Sequence, residues 1–128
     1  MQIDYSPNLE SRLDIAALCA ELCRAAAATG VFPPAGIRVR ATACDHVVIA
    51  DGDPDHAYLD VSVRLRGGRP IEARRAATAA IFAAAESFCA EVMARSSLML
   101  SLEMRDIDPE LSPKASSIRE HLPEGFGR

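Results

Sequence analysis

The sequence predicts an α+β fold in which two tandem β-α-β units build one four-stranded mixed sheet with two helices on one face. Three observations predict it. Four segments alternate apolar and polar residues with period two, and two longer segments between them carry apolar residues at helical spacing. The turn cluster Asp51-Gly52-Asp53-Pro54-Asp55 divides this pattern into two similar halves. Finally, 128 residues with 49% apolar and 25% charged side chains suit one core and not two. We therefore expect a single domain over 1–128, with a first unit at 1–50, a second at 56–108 and a tail at 109–128. Direct similarity between the halves is weak, so the duplication rests on element order alone.

The first strand covers Gln2 to Tyr5, with Ile3 and Tyr5 on one face and Gln2 and Asp4 on the other. Ser6-Pro7-Asn8 is turn material able to cap the next helix. From Leu9 to about Ala28 an apolar stripe runs through Leu9, Leu13, Ala16, Ala20, Cys23 and Ala27, widened by Leu18 and Leu22. Gly30 is placed to close that helix in a left-handed conformation, and Pro33-Pro34 prevents its continuation.

A second strand is expected from Ile37 to Ile49, turning Arg38, Arg40 and Thr42 to one face and Ile37, Val39, Ala41 and Ala43 to the other. In the third, Leu59, Val61, Val63 and Leu65 alternate with Tyr58, Asp60, Ser62 and Arg64. Gly67-Gly68-Arg69-Pro70 ends it, and Pro70 suits a first helical turn. The second helix spans about Pro70 to Arg95, with Ile81, Phe82, Ala85, Phe88, Cys89, Val92 and Met93 inward. A fourth strand alternates Leu98, Leu100, Leu102 and Met104 with Met99, Ser101, Glu103 and Arg105. The tail is rich in proline, serine and charge, with room for a short helix at 116–121. Parallel strands within each unit require a helical crossover, which should be right-handed.

The net charge of −4 argues against a general nucleic-acid binder, which needs a basic face. It leaves room for a small anion held by a few local arginines. No apolar run is expected to reach the roughly 20 residues of a membrane span. The first residues lack the basic and apolar regions of a signal peptide, so a cytoplasmic protein is expected. Cys19, Cys23, Cys44 and Cys89 form no Cys-x-x-Cys pair and read as buried reduced thiols. His46, His56 and His121 lack ligand spacing, so no metal site is expected, and His56 is assigned to shaping its loop.

Two helices on one face leave the other face of the sheet uncovered. That face would carry Asp4, Arg38, Arg40, Thr42, Asp60, Ser62, Arg64, Ser101, Glu103 and Arg105. Two readings stand open: a solvated surface, or subunits assembled with their sheets inward and charges paired across the interior.

The stretch Ala28-Thr29-Gly30-Val31-Phe32-Pro33-Pro34-Ala35-Gly36-Ile37-Arg38 resembles the helix-to-strand turn of the 5-carboxymethyl-2-hydroxymuconate Δ-isomerase family. Ala50-Asp51-Gly52, Asp55-His56-Ala57-Tyr58 and Gly67-Gly68-Arg69-Pro70-Ile71-Glu72-Ala73-Arg74 match the same family in one register, from about Ile3 to about Leu111. The resemblance implies membership of the tautomerase superfamily and a homotrimer whose sheets line a central barrel. It implies cofactor-free and metal-free isomerisation, in the cytoplasm, of a polycarboxylated intermediate of homoprotocatechuate and related aromatic-acid breakdown. A small-molecule carboxylate is then the partner, with no role for nucleic acid or membrane.

Such chemistry needs a base near neutrality and cationic groups for the substrate carboxylates and the developing dienolate. The resemblance assigns substrate binding to Arg38, after Gly36-Ile37, and to Arg69, after Gly67-Gly68. Read without it, Arg38 could pair with Asp60 or Glu103, and Arg69 could be solvated at the helix start. Arg40 reads as a structural charge partner. The family's base is an amino-terminal proline, which this register places two residues before Met1. The chain as written is therefore expected to hold no catalytic base and to be a poor isomerase. The Met1 α-amino group would be a weak substitute, and Pro7 none, because its nitrogen is an amide. The alternative function is a non-catalytic trimeric protein that binds a small anion or serves a structural role.

Overall fold

The computed structural model describes residues 1–126. Strand β1 (Gln2–Tyr5) is followed by a 3-10 turn at Pro7–Leu9 and helix α1 (Ile15–Ala28). A second 3-10 turn at Pro34–Gly36 leads to β2 (Arg40–Ala43), then come β3 (Ala57–Arg66), α2 (Ile71–Arg95) and β4 (Leu98–Ile107). The tail holds one more 3-10 turn, Ile118–His121, within the expected 116–121. Residues 127 and 128 of the expected tail lie outside the described residues.

The sheet order is β2-β1-β3-β4. β1 runs parallel to β2, β3 runs parallel to β4, and the two pairs meet antiparallel through β1 and β3. This is the predicted four-stranded mixed sheet of two β-α-β units. The core lies between its inner face and the helices: Ile3, Leu59, Val61 and Val63 from the strands meet Leu18, Leu22, Ile81 and Ala85, all fully buried. Burying each of the valine, leucine and isoleucine side chains contributes about 1.5–3 kcal/mol, which makes this layer the main source of stability.

Several expectations are corrected. The second strand does not reach Ile49. Its only strand partner among the described residues is β1, four residues long, so β2 also pairs over four residues and the chain leaves the sheet after Cys44 donates its N–H to Tyr5. Val48 beyond it is exposed.

The first helix begins at Ile15 and not at Leu9. The Asp14 side chain accepts the Ala17 N–H as its N-cap. Leu9 and Leu13 belong to the preceding turns, so a phase taken from them is wrong for the helix. Its buried residues are Leu18, Leu22 and Ala26, while Ala16, Ala20 and Ala27 face solvent.

In α2 the buried stripe is Ala77, Ile81, Ala85, Cys89 and Val92, and Met93 is exposed. That helix is also long and apolar enough, by length and composition, to cross a membrane, contrary to expectation. Much of its hydropathy comes from alanine, and its stripe packs on α1 and β4. Among the thiols only Cys89 is fully buried, where burial pushes it up to about 11, whereas Cys19, Cys23 and Cys44 are half-buried.

Candidate active site

α1 stops where the chemistry of its last residues requires. The Thr29 hydroxyl donates to Ala26 O, and Gly30 follows with φ +73°, a left-handed conformation that glycine adopts without strain. The prolines then force the 3-10 turn at Pro34–Gly36, and residues 37–39 run extended into β2. Ile37 and Val39 pack against the core, so Arg38 and Arg40 point to the opposite, open face. The same alternation on β3 turns Asp60, Ser62 and Arg64 to that face, and on β4 it turns Arg105 there.

Together with Met1, Gln2, Asp4 and Asp106 these side chains line a cavity of about 620 Å³ on the open face of the sheet. The Met1 amino group sits in it and donates to Arg38 O at 2.5 Å. Its pKa is lowered from the ordinary value of 8.0, first by burial and then by the positive charges of Arg40, Arg38 and Arg64.

The charges in the cavity divide into engaged and free. Asp106 pairs with Arg74 at 3.3 Å, Asp60 accepts from Ser101 Oγ at 2.8 Å, and Asp4 accepts from Gln2 Nε2 at 3.3 Å. Arg105 lies 3.1 Å from Glu103 and donates to Ser62 Oγ at 2.7 Å. Arg40 Nε donates to Gln2 Oε1 at 2.5 Å. The Arg38 and Arg64 guanidinium groups make no hydrogen bond or ion pair among the described residues. With Met1, four arginines face three carboxylates whose lone pairs are already partly used. The cavity is therefore positive on a chain of net charge −4, a local field that favours an anion.

These contacts revise the sequence reading of single residues. Arg38 pairs with neither Asp60 nor Glu103, because Ser101 and Arg105 hold them. Arg40 engages an amide and not a carboxylate. Arg69 does not line the cavity: its Nη1 donates to Arg66 O at 3.1 Å, behind Gly68, whose φ is +102°. Within one subunit the structure thus brings Arg38 to Met1 and leaves Arg69 apart from them.

Arg64 is the cavity residue that the sequence reading did not single out. Its strand parity with Asp60 and Ser62 was legible, but nothing among ten polar positions on that face marked it as unpaired. His56 does hold its loop, with Nε2 3.0 Å from Asp51 and Nδ1 2.6 Å from Ser97 Oγ.

The sequence profile of the CHMI family, 5-carboxymethyl-2-hydroxymuconate isomerase, matches residues 1–122. The 5-carboxymethyl-2-hydroxymuconate Delta-isomerase of Escherichia coli is 32% identical over 116 residues, which cover 91% of this chain and 92% of that protein. A crystal structure of a 5-carboxymethyl-2-hydroxymuconate delta-isomerase superposes with a TM-score of 0.89 at 26% identity, covering 97% of this chain and 92% of its own. That of a 5-carboxymethyl-2-hydroxymuconate isomerase from Deinococcus radiodurans R1 gives 0.86 at 27%, covering 94% and 90%. A fused 4-OT symmetric trimer, at 18% identity, TM-score 0.52 and coverage of 84% and 86%, shares the fold alone. From its sequence, its duplicated β-α-β sheet and these likenesses, the chain belongs to the 5-carboxymethyl-2-hydroxymuconate isomerase family of tautomerase-fold enzymes.

Proposed function

We propose that this protein is a cofactor-free isomerase that moves a proton from the hydroxyl of a polycarboxylated, unsaturated enol to a conjugated carbon, giving the ketone. On this reading it acts in the cytoplasm on 5-carboxymethyl-2-hydroxymuconate or a close analogue from aromatic-acid breakdown. The observation that carries the reading is the positive cavity at the amino end of β1, with the unpaired Arg38 guanidinium beside it.

The strand register says where a base would stand. Met1 accepts from Arg40 N–H and donates to Arg38 O, so the parallel ladder continues past Gln2↔Arg40 to place Met1 opposite Val39. A proline two residues before Met1 would fall opposite Ile37, next to Arg38. Its secondary amine would take the enol hydroxyl proton, leaving the dienolate, and return that proton to the far carbon of the conjugated diene. Burial and the neighbouring guanidinium groups, which already lower the Met1 amine, would lower the pKa of such an amine in the same direction, as a base working near neutrality needs. Arg38 would grip a carboxylate through its planar fork and stabilise the dienolate as charge develops.

Arg69 completes the site in this reading from a neighbouring subunit. The support is its distance from the Arg38 cavity within one chain, together with the trimeric state of a protein of the same fold. Three subunits with their open faces inward would also bury the polar face that the helices leave uncovered.

The test is a protein extended so that a free proline precedes Met1 by two positions, assayed with 5-carboxymethyl-2-hydroxymuconate by absorbance and weighed by sedimentation equilibrium. Turnover in a trimer, lost about 100-fold on Arg38→Ala or Arg69→Ala, is the expected result. A folded, extended protein without turnover would overturn the assignment.

A further inference from the structure

We propose that Arg64 is a second anion grip of this cavity, acting with Arg38 so that the site prefers di- and tricarboxylates over monocarboxylates; the inference rests on the reading of Arg38 above. The geometry follows from strand register. Gln2 pairs with Arg40 on one side and with Ser62 on the other. Two residues towards the amino end of β1, the parallel side reaches Arg38 and the antiparallel side reaches Arg64. The two arginines therefore stand at one level of the sheet, on the strands flanking β1. Two interstrand spacings separate their Cα atoms by roughly 10 Å.

Both side chains share the parity of Gln2 and line the same cavity. The positive charge of both contributes to lowering the pKa of the Met1 amine. Two long side chains with that separation can reach different carboxylates of one small molecule.

The balance of charge in the cavity supports the same assignment. Arg105 has Glu103 and Arg74 has Asp106, whereas Arg38 and Arg64 form no ion pair among the described residues. Neighbouring unpaired guanidinium groups repel one another, and a ligand with two or more negative charges removes that repulsion while a singly charged one removes less of it.

The experiment titrates the full chain, at low ionic strength, with propane-1,2,3-tricarboxylate and with butyrate, following binding by NMR. Wild type should bind the tricarboxylate at least about tenfold more tightly than butyrate. Arg64→Gln should weaken the tricarboxylate about tenfold and butyrate less than twofold, whereas Arg38→Gln should weaken both. Arg64→Lys should recover part of the loss, since it restores the charge without the fork. Sedimentation equilibrium on each variant should give the wild-type oligomeric state.

If Arg64→Gln leaves the tricarboxylate affinity within twofold while Arg38→Gln lowers it, the Arg64 inference fails and the Arg38 site stands. The Arg64 inference fails equally if Arg64→Gln changes the oligomeric state without that affinity loss, since Arg64 is then an interface charge. If neither variant has an effect, or wild type binds no tricarboxylate, both readings fail.

Discussion

The Met1 nitrogen lies 2.5 Å from the carbonyl oxygen of Arg38, and this contact joins the start of β1 to the arginine that the family resemblance singles out. The pairing is a consequence of the parallel ladder between β1 and the run into β2, so it holds the strand end rigidly in the cavity. In the protein that begins at Met1, the α-amino group should titrate below 8.0. NMR of the reductively ¹³C-methylated amine checks this. Arg40→Gln, which removes the largest of the charge contributions, should move the value back up, though burial remains.

The sign of the linked stability follows. The folded state holds this proton less well than the unfolded chain, so the amine costs stability at pH below its folded value. That cost fades as pH rises and is gone above 8.0. A folded-state value at or above 8.0 would show that the three guanidinium groups do not act at this point.

Arg38 carries the next prediction, in the proline-extended protein. Arg38→Lys keeps the charge but replaces a planar two-point donor by a single flexible ammonium. We expect kcat/KM to fall by about tenfold to 100-fold, close to the loss for Arg38→Ala, as measured by steady-state kinetics. A lysine variant with wild-type kcat/KM would mean that only net charge matters at this position.

Ile81 and Met93 separate the real inner face of α2 from the one that periodicity suggests. Ile81 is fully buried against the sheet, so Ile81→Ala should cost about 2–5 kcal/mol in denaturant unfolding. Met93 is 42% exposed, so Met93→Ala should cost less than about 1 kcal/mol. A larger loss at Met93 would mean that a neighbouring subunit covers it.

These contrasts show how much of the molecule was legible in its sequence. Period-two alternation placed β3 and β4 well, because both are ten residues long, β3 buries one complete face and β4 packs Leu98, Leu100, Leu102 and Met104 partly buried against the core. The end of β2 was not legible, since it depends on the length of β1, which is a property of another segment. The phase of α1 was lost at the break between Leu9 and Asp14, where a side-chain cap and not hydrophobicity sets the start. At the site, parity alone put Arg38, Arg40 and Arg64 on one face. Their pairing states required knowing that Ser101 on β4 takes Asp60 on β3 and that Arg105 turns to Glu103, its neighbour two residues back on β4.

The His56 bridge gives the last prediction. Asp51 can only accept when ionised, so the neutral imidazole carries its proton on Nε2 and accepts from Ser97 Oγ at Nδ1. One ring thereby ties the Asp51-Gly52 turn to the residue before β4. This turn also needs Ala50 at φ +51° and Gly52 at φ +89°, so its backbone depends on being held. Asp51 has its pKa lowered from 3.8, first by the Asp53 N–H and then by His56. Its contribution to stability is present above the unfolded value and is lost as pH falls through the folded one. His56→Ala should therefore raise amide hydrogen exchange across residues 50–56 by about tenfold at pH 7 while leaving exchange in β3 and α2 within about twofold. The same local loosening should appear in Ser97→Ala. Unchanged exchange in both variants would show that the turn residues hold the loop without the bridge.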